Sequence, residues 1–331
     1  MSSAPLASYQ EQLRLAAEFV MGHNDVLVVS HVQPDGDAAG STFAVGHMLN
    51  SLGKTFTLVN EGTMPEKYRF MSGGLSIHTY ESVQQLGQRF QAVIAVDCAD
   101  FGRLGLVSEL IASGTPFLNI DHHATNDSFG TVNLIQADAA ATAEILYDLA
   151  IEMNARWTPE LATCLYSGLL TDTGGFRYSN TSTKVMETAG RLLQLGAKGP
   201  ELAERLLERV TLAQIQLLRR ALSTLALAAD NRVAWMTVTL KDVEECGANP
   251  EDLDGLVNYP RNIEGVEVGL LFKQSPKGGV KVGFRSSGTV DVAEIAQSLG
   301  GGGHRRAAGA SVQLEMDEAV QLVVGRVVAN L

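Results

Sequence analysis

Short apolar runs alternate with amphipathic stretches along the first half of the chain. Residues 25–30, 55–59, 91–96 and 117–120 are compact, largely β-branched or aliphatic runs of strand length. Residues 8–21, 38–52 and 103–112 carry apolar positions at helical spacing, the second of these ending near Gly53. The stretch 61–74 is irregular. Continuous apolar strands that alternate with helices predict a parallel sheet covered on both faces. After Asn133 the pattern turns helical, over 142–155, 159–170, 183–195, 201–209 and 213–228. Strand signals return at 233–239, 266–273 and 280–285, with helical stretches at 252–258, 290–299 and 316–330. The predicted fold class is α/β: a parallel-sheet N-terminal domain over 1–185, a helical connector over 186–228, and a smaller α/β domain over 229–331.

Composition narrows the class without changing that picture. A chain of 331 residues accommodates two ordinary domains. With 45% hydrophobic and 19% charged residues it reads as a soluble globular protein. No apolar run is long enough for a membrane span, and residues 1–10 lack the pattern of a signal peptide. Cys98, Cys164 and Cys246 are odd in number and widely separated, which suits a reducing cytoplasm, and Cys98 reads as a small core residue. The net charge of −12 argues against a surface that grips long duplex nucleic acid. It leaves room for a small anionic substrate, because bound divalent cations reverse the sign locally.

The candidate chemistry lies at strand ends. Asp121-His122-His123 follows the apolar run at 117–120. His31, Asp35 and Asp37 follow the first strand, Asp97 the 91–96 strand, and Asp172 lies where a helix breaks into a turn. Ligands of parallel sheets bind beyond the carboxyl ends of the strands. Taken singly, each residue has an ordinary structural reading. Pro34-Asp35-Gly36-Asp37 makes a solvated turn, Asp97 a strand-end cap, Asp172 a loop residue, and His31 a buried imidazole. Together they form a set of oxygen and nitrogen donors without thiolate, which suits Mn²⁺ or Mg²⁺, with Zn²⁺ or Co²⁺ as further choices. Two such ions about 4 Å apart hold a shared hydroxide and clamp phosphoryl oxygens.

Four segments carry a resemblance. They are His31-x-x-Pro34-Asp35-Gly36-Asp37-Ala38, Val96-Asp97-x-x-Asp100, Asp121-His122-His123, and Thr171-Asp172-Thr173-Gly174-x-Phe176. They are similar to the motifs of the DHH phosphoesterase superfamily. The run from Gly300 to Gly303, followed by His304, Arg305 and Arg306, resembles the glycine-rich motif of the DHH-associated C-terminal domain. The layout looks most like the bifunctional group that acts on oligoribonucleotides and on 3′-phosphoadenosine-5′-phosphate.

The resemblance implies two Mn²⁺ ions, with Mg²⁺ or Co²⁺ as substitutes. His31 and Asp35 hold one, Asp37, His122 and Asp172 the other, and Asp97 bridges them. It implies that His123 contacts the scissile phosphate or the leaving oxygen and that Asp121 fixes an imidazole. Asp100 and Arg103 match family positions, yet on one helical turn they read equally as a local pair. Arg285, Ser286, Gly302, Gly303, His304, Arg305 and Arg306 are the expected substrate-binding groups, across a cleft from the metals. The implied partners are short RNA oligonucleotides and nucleotides, with no long duplex and no membrane, and a homodimer through the connector helices.

The implied activity is hydrolysis of short RNA to nucleoside 5′-monophosphates, with dephosphorylation of 3′-phosphoadenosine-5′-phosphate. The alternatives are a cyclic- or linear-dinucleotide phosphodiesterase, a pyrophosphatase or polyphosphatase, a single-strand DNA exonuclease, and a nucleotide-binding regulator on a dead enzyme. The exonucleases of this family are longer, and a dead regulator is expected to lack a ligand; none is missing here.

Overall fold

The computed structural model describes residues 8–87, 89–288 and 290–331. Residues 1–7, part of the stretch read as lacking a leader pattern, lie outside the described residues. The chain divides into two compact units, Met1–Arg209 and Val210–Leu331.

The first unit runs α1 (Tyr9–Gly22), β1 (Val26–Val29), α2 (Gly36–Ser51), β2 (Phe56–Asn60), β3 (Ile77–Thr79), α3 (Tyr80–Leu86), β4 (Ala92–Val96), β5 (Phe117–Asp121), β6 (Val132–Ile135), α4 (Thr142–Glu152), α5 (Pro159–Asp172), α6 (Thr183–Gln194) and α7 (Gly199–Ala203). Its six strands lie in the order β3-β2-β1-β4-β5-β6, and every pairing is parallel. The order reverses between β1 and β4, which makes the crevice beyond their carboxyl ends the natural ligand site of such a sheet. Both β1 and β4 are buried along their whole length, as strands covered on two faces must be.

One core face is set by α2 and α5, which approach closely because glycine stands at their contact. A Cβ on Gly40 would come within 2.6 Å of the Cys164 carbonyl oxygen, and one on Gly168 within 2.5 Å of Asp37 Oδ1. This contact brings the start of α2 beside the end of α5, and with them Asp37 and Asp172. Leu27, Val29, Val93 and Ala95 pack instead with Val83 and Leu104 on the other face of the sheet.

The second unit runs α8 (Leu212–Ser223), β7 (Ala226–Ala228), β8 (Val233–Val238), α9 (Leu240–Glu245), α10 (Asn258–Arg261), β9 (Val268–Gln274), β10 (Val280–Ser286), α11 (Val292–Gln297), β11 (Gly302–His304), β12 (Ala307–Val312) and α12 (Met316–Val328). Its sheet has the order β11-β12-β10-β9-β8-β7. The β8–β9 pair is parallel and the other pairs are antiparallel. Val280, Val282 and Phe284 alternate into a core with Val292, Ile295, Val323 and Val327, so α11 and α12 cover one face.

The structure corrects several element readings. Residues 213–228 are not one helix: α8 ends at Ser223 and Ala226–Ala228 is an edge strand paired with β8. Alanine and leucine favour helix locally, and pairing overrides that preference. Residues 252–258 fall between a 3₁₀ turn at Pro250–Leu253 and the short α10. Residues 103–112 lie mostly within a 3₁₀ segment, Phe101–Leu110, broken at Gly105 with φ 58°. The pattern of apolar positions does not mark the strands β3, β6, β11 and β12 or the helix α3. Apart from α3 these are edge strands or, in β12, a run of alanine, glycine and serine with weak strand propensity. The stretch 186–228 contributes to both units, with α7 in the first and α8 in the second.

Candidate active site

Every candidate ligand of the first unit sits at the carboxyl edge of the parallel sheet or at the helix ends beside it. His31 lies two residues beyond β1, Asp97 directly follows β4, and Asp121 is the last residue of β5. Asp35 is the N-cap of α2, its Oδ1 accepting the amides of Asp37 (3.1 Å) and Ala38 (3.0 Å). Asp37 thus stands in the first turn of that helix rather than in the preceding loop. Asp172 closes α5.

Asp97 is the centre of the cluster. It is buried and holds a left-handed backbone, φ 59°, which a non-glycine residue adopts only where surrounding contacts impose it. Its Oδ2 lies 3.5 Å from His31 Nε2. Its Oδ1 lies 3.6 Å from His122 Nε2 and accepts the Thr142 hydroxyl at 3.0 Å. One carboxylate therefore turns a different oxygen toward each of two imidazoles. His122 Nε2 is also 3.4 Å from Asp172 Oδ2. Two donor groups result, His31/Asp35/Asp97 and Asp37/His122/Asp172, each with its ligand atoms within 4.8 Å of one another.

Asp37 is fully buried, and its carboxylate accepts the Thr142 amide (2.6 Å) and the Ala143 amide (3.0 Å). It thereby caps α4, whose N-cap residue Ala141 offers no side-chain oxygen. Burial, followed by the nearby Asp97 charge, pushes the Asp37 carboxyl up to about 7. Burial also opposes ionisation of Asp97, but the His31 hydrogen bond and the adjacent imidazoles outweigh it and hold that carboxyl far below its usual range. Burial alone would lower His31 and His122; for both, the neighbouring carboxylates, Asp97 foremost, more than offset it and raise them. Negative groups held this close call for cations between them.

The rest of the triplet is fixed by a hydrogen-bond chain. His122 Nδ1 lies 3.2 Å from the Ala139 carbonyl, so that nitrogen carries the proton and Nε2 faces the carboxylates. His123 Nδ1 donates to Asp121 Oδ1 at 2.7 Å, and Asn126 Nδ2 donates to Asp121 Oδ2 at 2.6 Å. Asp97, Asp121 and His123 also form a compact group, but both Asp121 oxygens are already engaged there. On the other side of the ring, Arg103 Nη1 approaches His123 Nε2 at 3.5 Å.

Asp100 caps the following turn by accepting the Arg103 amide at 3.2 Å. Arg103 is thereby aimed at His123, a relationship that the local pairing in the sequence did not reveal. Thr142 and Asn126 were not singled out in the sequence either. Asn126 could have been, since it lies three residues beyond His123 in a polar loop, whereas nothing local marks Thr142.

The expected substrate groups lie in the second unit. Arg285 is on β10, Gly302, Gly303 and His304 form β11, and Arg305 and Arg306 make the turn into β12. His304, Arg305 and Arg306 are exposed. Ser286, at the end of β10, is 1% exposed and stands on the face that carries Phe284.

The donor set suits a divalent cation: carboxylate oxygens and neutral imidazoles, with no cysteine in either group. Among the described residues, no helix is long and apolar enough to cross a membrane.

Comparisons with known proteins agree with this arrangement. Residues 25–169 match the DHH family, N-terminal domain, and residues 232–329 match the DHHA1 domain. The bifunctional oligoribonuclease and PAP phosphatase NrnA of Thermus thermophilus is 35% identical over 97% of this chain and 95% of its own length. The protein of the same name from Bacillus subtilis is 28% identical over 91% and 93%. An exopolyphosphatase-related protein of Bacteroides fragilis superposes with a TM-score of 0.87 at 24% identity, covering 99% of this chain and 98% of the other. DHH phosphoesterases depend on metal, and the residues found here fit one. The chain belongs to the DHH family of phosphoesterases, its N-terminal DHH domain followed by a DHHA1 domain.

Proposed function

We propose that this protein hydrolyses short oligoribonucleotides to nucleoside 5′-monophosphates and also removes a phosphate from 3′-phosphoadenosine-5′-phosphate, using two Mn²⁺ ions. The observation that carries the reading is the position of Asp97, with one oxygen toward His31 and the other toward His122. Near full-length similarity to two proteins named as oligoribonucleases and PAP phosphatases supports the choice of substrate.

In this reading His31 and Asp35 would hold one cation and Asp37, His122 and Asp172 the other, with an oxygen of Asp97 available to each. When bound, the ions lower the pKa of a water and neutralise the phosphoryl oxygens. The chain's own groups do the rest. The Ala139 carbonyl and the Asp121 carboxylate keep both imidazoles in one tautomer and orientation. Arg103 faces the phosphoryl group and stabilises the charge that develops on its oxygens, and His123, its Nε2 beside the Arg103 guanidinium, positions that group. Water adds to phosphorus, the bond to the leaving sugar oxygen breaks, and that oxygen takes up a proton. In the second unit, His304, Arg305, Arg306 and Arg285 bind the remaining phosphates and bases of the substrate, and the backbone at Gly302 and Gly303 admits close approach.

The test is turnover with Mn²⁺ on a labelled RNA dinucleotide, a 24-mer, 3′-phosphoadenosine-5′-phosphate, cyclic di-AMP and pyrophosphate. Fast release of mononucleotide from the dinucleotide, with slow attack on the 24-mer, supports the reading. Dominant hydrolysis of cyclic di-AMP or pyrophosphate would overturn the substrate while leaving the metal centre in place.

A further inference from the structure

The chain enters α4 through Ala139, Ala140 and Ala141, a buried loop that brings no polar side chain of its own. Its backbone groups must therefore find partners on other residues. Glu144, in the first turn of α4 and only 4% exposed, accepts the Ala140 amide through Oε2 at 2.8 Å. Its other oxygen, Oε1, lies 3.2 Å from Lys184 Nζ on α6, and Lys184 is itself 2.7 Å from Asp148 Oδ2. A buried carboxylate is costly unless it is paired, and here both oxygens are engaged. From the other side, Asn180 Nδ2 donates to the Ala140 carbonyl and to the Asp172 carbonyl, each at 3.1 Å. Ala140 is thus gripped at its amide by Glu144 and at its carbonyl by Asn180.

A glutamate that reaches back over the start of a helix is most simply a capping device. The other bonds of the same loop give the grip a second consequence. The Ala139 carbonyl lies 3.2 Å from His122 Nδ1. The Thr142 and Ala143 amides bond the Asp37 carboxylate. The Thr142 hydroxyl bonds Oδ1 of Asp97, the oxygen on the His122 side, whereas Oδ2 is the oxygen beside His31. Each donor of the Asp37/His122/Asp172 group is therefore in contact with residues 139–143 or with Asn180. His31 and Asp35 come from the loop after β1, where Asp35 is held by the first turn of α2. The two donor groups rest on different supports.

We propose that Glu144 and Asn180 are positioning residues for one half of the metal centre. By fixing the 139–143 segment they set the affinity for the cation at Asp37, His122 and Asp172, and leave the cation at His31 and Asp35 to its own support. The inference rests on the two-cation reading above.

The test is Mn²⁺ titration of metal-free wild type, Glu144→Ala, Glu144→Gln and Asn180→Ala, with Asp172→Asn marking which ion lies on the His122 side. Imidazole nitrogen spectra of the metal-free proteins report the tautomer of His122 without any metal. Glu144→Ala should weaken the marked ion about 10- to 100-fold, the scale for loss of a group that orients a ligand. The other ion should change far less, and the His122 signal should depart from that of wild type. Glu144→Gln keeps an oxygen for the Ala140 amide and should recover most of the loss. Asn180 is exposed, so Asn180→Ala should fold and weaken the same ion even if Glu144→Ala does not fold.

Equal weakening of both ions in the alanine variants, or wild-type affinities with an unchanged His122 signal, would overturn the proposal. If wild type binds a single ion, the two-cation reading itself fails. The His122 signal then decides the positioning role alone: a departure in Glu144→Ala and Asn180→Ala supports it, and a wild-type signal in both overturns it.

Discussion

His123 Nδ1 donates to Asp121 Oδ1 across 2.7 Å, and Asn126 holds the other carboxylate oxygen at 2.6 Å. The Asp121 carboxylate thus fixes both the tautomer and the angle of the imidazole that faces Arg103. Asp121→Asn keeps the shape and offers the ring a donor or an acceptor of changed character. We expect kcat to fall about 10- to 100-fold, the scale usual for groups that orient a ligand or catalytic imidazole, while the stoichiometry of Mn²⁺ bound is unchanged. Steady-state kinetics beside metal titration separates the two effects. Equal loss of metal and activity would mean that Asp121 is itself a ligand.

Gly168 is the second position where packing and chemistry meet. A Cβ there would lie 2.5 Å from Asp37 Oδ1 and 2.6 Å from the Ala143 Cβ. Gly168→Ala should therefore force α2 and α5 apart or rotate Asp37 away from the α4 amides. Overpacking of this kind costs about 1–3 kcal/mol. The expected outcome is a lower melting temperature together with weaker metal binding. A stable variant with wild-type metal affinity would show that the contact is not needed to place Asp37.

Metal-free protein should respond to pH in a defined direction. The Asp37 carboxyl is raised to about 7 in the folded chain, so the folded form holds its proton where the unfolded form has lost it. Its contribution to stability is full below the unfolded carboxylate pKa and is lost as pH rises through about 7. Asp97 acts oppositely, but its depressed carboxyl titrates well below the range of interest. Bound cations replace the proton on Asp37, and raised imidazoles at His31 and His122 must lose theirs to ligate. The increase in melting temperature on adding Mn²⁺ should therefore grow from pH 5.5 to pH 8. A shift independent of pH would argue against protonated ligands in the metal-free centre.

Arg103 is expected to act on the phosphoryl group rather than on the fold. Its guanidinium reaches toward His123 Nε2, while the turn that carries it is capped by Asp100 through its backbone amide. Arg103→Ala should change stability by no more than about 1 kcal/mol, since the part-buried side chain is not in an apolar core. It should lower kcat/KM by about 10- to 1,000-fold, the range for removal of one stabilising donor. Thermal melts and kinetics on the same preparation check both halves.

Much of the site was legible in sequence because its ligands come from strand ends. An apolar run that stops at an acid or a histidine is a local signal, and Asp97 and Asp121 both follow such runs. What stayed hidden was set by packing. Thr142 reaches Asp97 across 45 positions of sequence, and the α4 amides reach Asp37 across 105 or more. In the second unit, β7 and β12 are made of residues with weak strand preference, and only their partners define them.

The most direct test is titration of metal-free protein with Mn²⁺, with turnover of an RNA dinucleotide followed on the same samples, for wild type and Asp97→Asn. If Asp97 is shared, wild type binds two ions per chain and turns over, while the variant binds fewer or much weaker ions and is inactive. Two ions held with wild-type affinity by an active Asp97→Asn protein would contradict the shared centre on which the account depends.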